Sequence, residues 1–100
     1  MNFVRPEIDP DLEELIPDFI ENTINDYKAF ESSYNDKNFE GMRKVCHTVL
    51  GTAQSYGFTQ LDTIVTKLQD NAKEESLSDL QENFVTFQNY IEFLKKEFPL

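Results

Sequence analysis

Cys46-His47-Thr48-Val49-Leu50-Gly51-Thr52-Ala53-Gln54-Ser55-Tyr56-Gly57 holds the only histidine of the chain and two of its three glycines. Read with the residues before it, the stretch is one amphipathic helix. Apolar side chains recur at Phe39, Met42, Cys46, Val49, Ala53 and Tyr56, the alternating three- and four-residue spacing of a buried stripe. At roughly 100° per residue, His47 lies about 140° from the centre of that stripe. The imidazole is therefore expected to face water or a partner. Gly51 falls one turn later on the same face, where a mid-helix glycine costs about 1 kcal/mol relative to alanine. Helical side chains lean toward the N-terminus, so a larger residue at 51 would crowd the ring. An open imidazole beside bare backbone suits a nucleophile that meets a bulky partner.

The same periodicity extends outward. Asp9-Pro10-Asp11 opens a first helix, with Asp9 as cap and Pro10 at the first helical position. Leu12, Leu15, Ile16, Phe19 and Ile20 form its apolar side. Pro17 interrupts the pattern and is expected to remove a backbone hydrogen bond. The reading is a short helix, a break near Pro17, and a longer helix to about Tyr34 that buries Ile24, Tyr27, Phe30 and Tyr34. Ser32 to Lys37 reads as a turn, with Asp36 or Asn38 capping the histidine helix. That helix runs to about Tyr56, where Gly57 can take the left-handed closing geometry.

Thr59 with Asp62 resembles a capping box that starts the next helix, with Leu61, Ile64, Val65, Leu68 and Ala72 inward. A polar turn at 73–76 and a second capping-box pattern, Ser78-x-x-Gln81, precede the last helix. Its stripe is Leu77, Leu80, Phe84, Phe87, Ile91, Leu94 and Phe98, and Pro99 ends it. Amphipathic helices joined by short turns predict an all-α fold, an antiparallel up-down four-helix bundle with a short extra N-terminal helix. Residues 1–8 read as an extended tail and residues 9–100 as one domain.

Composition narrows the function classes. One hundred residues with 39% hydrophobic content fit a single core. A net charge of −10 argues against general nucleic-acid binding, which needs a basic face. The charge is uneven: residues 41–73 hold Arg43, Lys44, Lys67 and Lys73 against only Asp62 and Asp70. The histidine region is thus the part that tolerates an arriving anion. No apolar run is long enough to span a bilayer, and the N-terminal residues lack the basic-then-apolar layout of a secretion signal. With a single cysteine no internal disulfide forms, in keeping with a cytoplasmic location. One histidine beside one cysteine is not a metal site, and Cys46 belongs to the apolar stripe. No phosphate-binding loop or nucleophilic triad is present, so no kinase activity is expected.

The pattern His47-x-Val49-Leu50-Gly51-Thr52-Ala53-x-x-Tyr56-Gly57-Phe58-x-x-Leu61 resembles the signature of histidine-containing phosphotransfer (HPt) domains, His-x-Leu-Lys-Gly-Ser-Ala-x-x-hydrophobic-Gly. The likeness extends over nearly the whole chain from Ile8. The family usually has a lysine where this chain has Leu50.

The resemblance implies that His47 accepts a phosphoryl group from an aspartyl phosphate on a receiver domain and passes it to another receiver. Partners would be response-regulator receivers and a hybrid histidine kinase, with Mg²⁺ supplied by the receiver and none held by this chain, which is expected to be a monomer. Imidazole ordinarily titrates at about 6.5, so its neutral nucleophilic form is abundant near neutral pH. Gln69 is expected to orient the ring by accepting a hydrogen bond from Nδ1–H. Arg43, Lys44 and Lys73 are candidates to offset phosphoryl charge, and Leu50 and Gln54 to contact the partner, Leu50 as part of an apolar collar. Two other readings stand beside this one: an HPt-like module that binds a receiver without transfer, and a structural helical domain with an idle histidine.

Overall fold

The computed structural model describes residues 2–99 and is all-helical. A 3-10 helix, Pro10–Leu15, leads directly into α1 (Ile16–Asn35). Then follow α2 (Phe39–Ala53), α3 (Thr59–Lys73) and α4 (Leu77–Glu97). Each helix packs on the next, and α1 also packs on α4, so the four close a ring around one core. Met1 of the expected tail and Leu100 of the expected domain lie outside the described residues.

The inward stripes follow the periodicity. Met42, Cys46, Val49 and Ala53 of α2 are buried, as are Leu61, Ile64, Val65, Leu68 and Ala72 of α3. Complete burial of a side chain such as Leu68 contributes about 1.5–3 kcal/mol. Phe19 of α1 packs on Tyr56 and Phe58 with ring centroids 4.6 Å apart in both pairs, which ties the end of the histidine helix to α1. Leu15 and Leu77, expected inward, are 47% and 44% exposed. Each stands at the joint where a helix begins, before the chain has settled onto the core. Thr23 and Tyr90, which the expected stripes left out, are buried; the Thr23 hydroxyl donates to the Phe19 carbonyl at 2.8 Å, which removes the cost of burying it.

Three helix ends share one geometry. The Phe58 N–H donates to the Ala53 carbonyl at 2.8 Å and the Gly57 N–H to that of Gln54 at 3.0 Å, the paired bonds of a Schellman cap. Gly57 takes the expected left-handed conformation at φ 84°. The same pair of bonds closes α1 through Lys37 and Asn38, and α3 through Glu75 and Ser76. There the left-handed residue is Lys37 or Glu75, both at φ 54°.

These closures correct the expected starts. Phe58 completes the cap of α2 and is at once the N-cap of α3, so Thr59 is already helical and its capping box does not form. Ser76 plays the same double part, its hydroxyl donating to Asp79 at 2.9 Å, and Ser78 lies inside α4. Asn38 caps α2 by accepting the Gly41 N–H at 2.9 Å, and Asp9 caps the 3-10 helix. The break expected near Pro17 falls just before it, where the 3-10 helix ends at Leu15 and α1 begins at Ile16; Pro17 sits in the first turn of α1, where an N–H has no intrahelical acceptor to lose.

Residues 2–9 have no regular secondary structure, yet they are docked. The Val4 N–H donates to the Gln60 side chain at 2.8 Å, and that amide donates to the Asn2 carbonyl at 3.2 Å. Phe3 packs edge-on against Tyr90 at 5.1 Å. Arg5 donates to the Glu97 carbonyl at 2.8 Å and lies 4.3 Å from the Phe98 ring centre.

Candidate functional site

Rotation about α2 places the chemistry. Cys46 is sealed in the core, and burial pushes its thiol up to about 12, so it is no nucleophile. His47, one residue and roughly 100° further round, is exposed. Its ring has no hydrogen-bond or ion-pair partner among the described residues. Gly51 is exposed, and a Cβ built on it meets nothing within 4 Å. The C-terminal side of the imidazole is therefore open.

His47 lines an open groove of about 540 Å³ between α2 and α3, together with Glu40, Arg43, Lys44, Thr48, Gln69 and Lys73. The fold thus brings five of the sequence-derived residues together: His47, Arg43, Lys44, Gln69 and Lys73. Gln69 is half-buried on the α3 wall and makes no hydrogen bond to the ring; the orienting bond expected from the sequence is not formed across the open groove. Lys44 pairs with Glu40 at 3.5 Å. Arg43 and Lys73 have no ion-pair partner among the described residues, so they are the groove's uncompensated cations.

Leu50 is half-buried and packs on the edge of the core rather than in the groove. Gln54 is the C-cap residue of α2, exposed, with its carbonyl engaged by the Gly57 N–H. It does not line the groove. Sequence reading missed Glu40 and Thr48. The i,i+4 spacing of Glu40 and Lys44 was a usable signal for the first. The Thr48 hydroxyl donates to the Lys44 carbonyl at 3.2 Å, which occupies its proton within its own helix.

Among the described residues no cluster of three or more His, Cys, Asp or Glu side chains could hold a metal ion, and no helix is long and apolar enough to cross a membrane. What the groove offers is one exposed imidazole, two cations without an ion-pair partner among the described residues, and clear approach. Comparison with known proteins finds no matching family model, no matching curated protein and no matching solved structure.

Proposed function

We propose that the chain is a histidine phosphotransfer protein of a multistep two-component relay, with His47 as the residue that carries the phosphoryl group. The observation that carries this reading is the exposure of the single imidazole, unpartnered, beside a glycine that leaves its flank empty. Phosphoryl transfer asks for an in-line nucleophile, orientation and charge stabilisation more than for covalent help from the protein. In the forward step the Nε2 lone pair of neutral His47 forms the P–N bond. The acyl-phosphate P–O bond of the receiver breaks, its electron pair returning to the aspartate carboxylate. The Nδ1 proton stays on the ring, and the receiver supplies Mg²⁺.

Leu50 stands where the family has a lysine, and Arg43 and Lys73 from the groove walls take over its electrostatic part. Gln69 reaches the ring only in the docked complex, where exclusion of water makes a hydrogen bond to Nδ1–H worthwhile. Leu50 and Gln54, outside the groove, contact the receiver at its margin. Under the same reading the four helices run antiparallel, up and down, in support of which adjacent helices pack in sequence and short turns join them. The 3-10 segment then takes the place of the family's short N-terminal helix. The protein acts as a cytoplasmic monomer with no kinase activity of its own.

The test is incubation with a panel of receiver domains loaded by a small phosphodonor in the presence of Mg²⁺. An acid-labile, alkali-stable phosphoryl group on the chain, lost in His47→Gln, is the expected outcome. Binding of receivers with no phosphoryl gained would leave the binding-only module instead.

A further inference from the structure

Residues 4–7 of the docked tail, the start of α3 and Tyr90 of α4 line an open groove of about 310 Å³ that shares no residue with the groove of His47. Tyr90 is the anomaly in it. Only 1% of its surface is exposed, and Phe3 packs edge-on against its ring. A tyrosine so placed ordinarily finds a partner for its hydroxyl, yet this one makes no hydrogen bond among the described residues. None of their polar side-chain atoms is sealed from solvent without a partner, so the hydroxyl is the part of Tyr90 that opens into the groove. Burial raises its ionisation, with no neighbouring charge or hydrogen bond acting on it. It therefore keeps its proton and can donate.

The start of α3 adds donors. Phe58, its N-cap, is buried and has no side-chain acceptor for the first turn. The N–H groups of Thr59 and Gln60, both residues of the groove, have no intrahelical acceptor, and none elsewhere among the described residues. They lie at the positive end of a 15-residue helix. The Gln60 side chain is already engaged at both ends, by the Val4 N–H and the Asn2 carbonyl. Arg5 is anchored at the groove through one nitrogen, its Nη1 donating to the Glu97 carbonyl at 2.8 Å and pairing with the Glu97 carboxylate at 3.3 Å. Against these donors stand Glu7, the one carboxylate lining the groove, and Asp62, one turn into α3 and outside it, which accepts the Thr66 hydroxyl.

We infer that this groove binds a small oxyanion, a carboxylate or a phosphate group, between the Tyr90 hydroxyl, the first N–H groups of α3 and the Arg5 guanidinium. An oxyanion accepts from all three, and hydrogen bonds to a charged acceptor are the stronger kind. A cation would meet a single carboxylate among donors, and an apolar ligand would leave the Tyr90 hydroxyl unpaired. Binding here does not depend on phosphoryl transfer at His47, so the two ideas fail separately.

The experiment is an NMR titration of the full ¹⁵N-labelled chain with sodium phosphate and, separately, sodium acetate, at ionic strength held constant with sodium chloride. Saturable amide shifts should concentrate at Gly57, Thr59 and Gln60, and the tighter of the two anions tells which oxyanion the site prefers. Tyr90→Phe keeps the ring against Phe3 and removes the donor. It should leave the thermal melt unchanged and weaken binding about tenfold, the scale of one hydrogen bond to a charged acceptor. Glu7→Gln should tighten binding about two- to fivefold. Glu74→Gln, the same change in net charge at the other end of α3, should not alter it. The idea is overturned if neither anion gives saturable shifts or if chloride alone reproduces them. It is equally overturned if Tyr90→Phe binds as the parent does or loses stability, which would mean that the protein itself holds the hydroxyl. Weakened binding in Glu7→Gln would also overturn it, because a cation site responds with that sign.

Discussion

Cys46 and His47 are adjacent in sequence and opposite in fate. The inner face of α2, Met42, Cys46, Val49 and Ala53, retains at most 2% of its surface. Its outer face presents Arg43, His47 and Gly51 to solvent. Both residues are nucleophiles in principle, and roughly 100° of rotation decides which can act. The buried thiol keeps its proton and meets nothing but the core, whereas the exposed imidazole has an open flank and cations beside it. Reactivity in this chain is therefore a matter of which face a residue lands on, more than of residue type.

The largest effect that would sharpen this contrast comes from truncating one residue on each face. Met42→Ala should cost about 2–5 kcal/mol through lost burial and the cavity left behind, and His47→Ala no more than about 0.5 kcal/mol. Urea unfolding of the two variants gives the comparison, and equal losses would break it. Gly51 tests the outer face alone. A Cβ there meets nothing within 4 Å, so Gly51→Ala should gain about 1 kcal/mol of helix stability and keep transfer. Gly51→Gln should stay folded but slow transfer at least about tenfold by reaching back over the ring. Unchanged transfer kinetics in the glutamine variant would remove the steric role given to this glycine.

Smaller effects come from the helix ends. Gly57, Lys37 and Glu75 hold the same left-handed position, and only the first is glycine. Lys37→Gly and Glu75→Gly should each stabilise by about 0.5–1 kcal/mol, once the glycine's own unfolded-state entropy is set against the relieved strain. Gly57→Ala should destabilise, the more so because a Cβ there would lie 3.1 Å from the Glu7 carbonyl oxygen. Thermal melts of the three variants decide whether the caps are equivalent.

A further effect is on pH dependence. Unfolded, the Cys46 thiol ionises at about 8.5, whereas in the fold burial holds it to about 12. The unfolded state thus releases a proton that the native state keeps, so stability is full below about pH 8.5 and declines as pH rises toward 12. Burial raises the Tyr90 phenol as well, and it adds a loss in the same direction at still higher pH. Cys46→Ala should lose less stability than the parent between pH 8 and pH 10; parallel losses would show that the thiol is not the group responsible.

Periodicity made the core of α2 and α3 legible residue by residue, because interior helices obey one repeat along their length. It misjudged Leu15 and Leu77, which sit at joints where the repeat has no neighbour to face. Lys37 and Glu75 were invisible as left-handed caps, since nothing about a lysine or glutamate advertises a positive φ. Thr59 and Ser78 misled because each closing cap uses the residue that starts the next helix. The docked tail rests on contacts such as Phe3 with Tyr90 that no local pattern encodes. At the site, His47 and Gly51 were readable from one helix. That Gln69 and Lys73 share their groove depends on the register of α3 against α2, and only the assembled bundle displays it.

Because His47 is the only histidine, a chain labelled with ¹⁵N-histidine has one ring spin system. Following it during incubation with a phosphorylated receiver domain and Mg²⁺ is the most direct measurement of whether this ring carries the phosphoryl group. The expected result is a shift of the Nε2 resonance to that of a phosphorylated nitrogen, with Nδ1 still protonated. Ring resonances unchanged in a chain whose amide shifts report a bound receiver would contradict it.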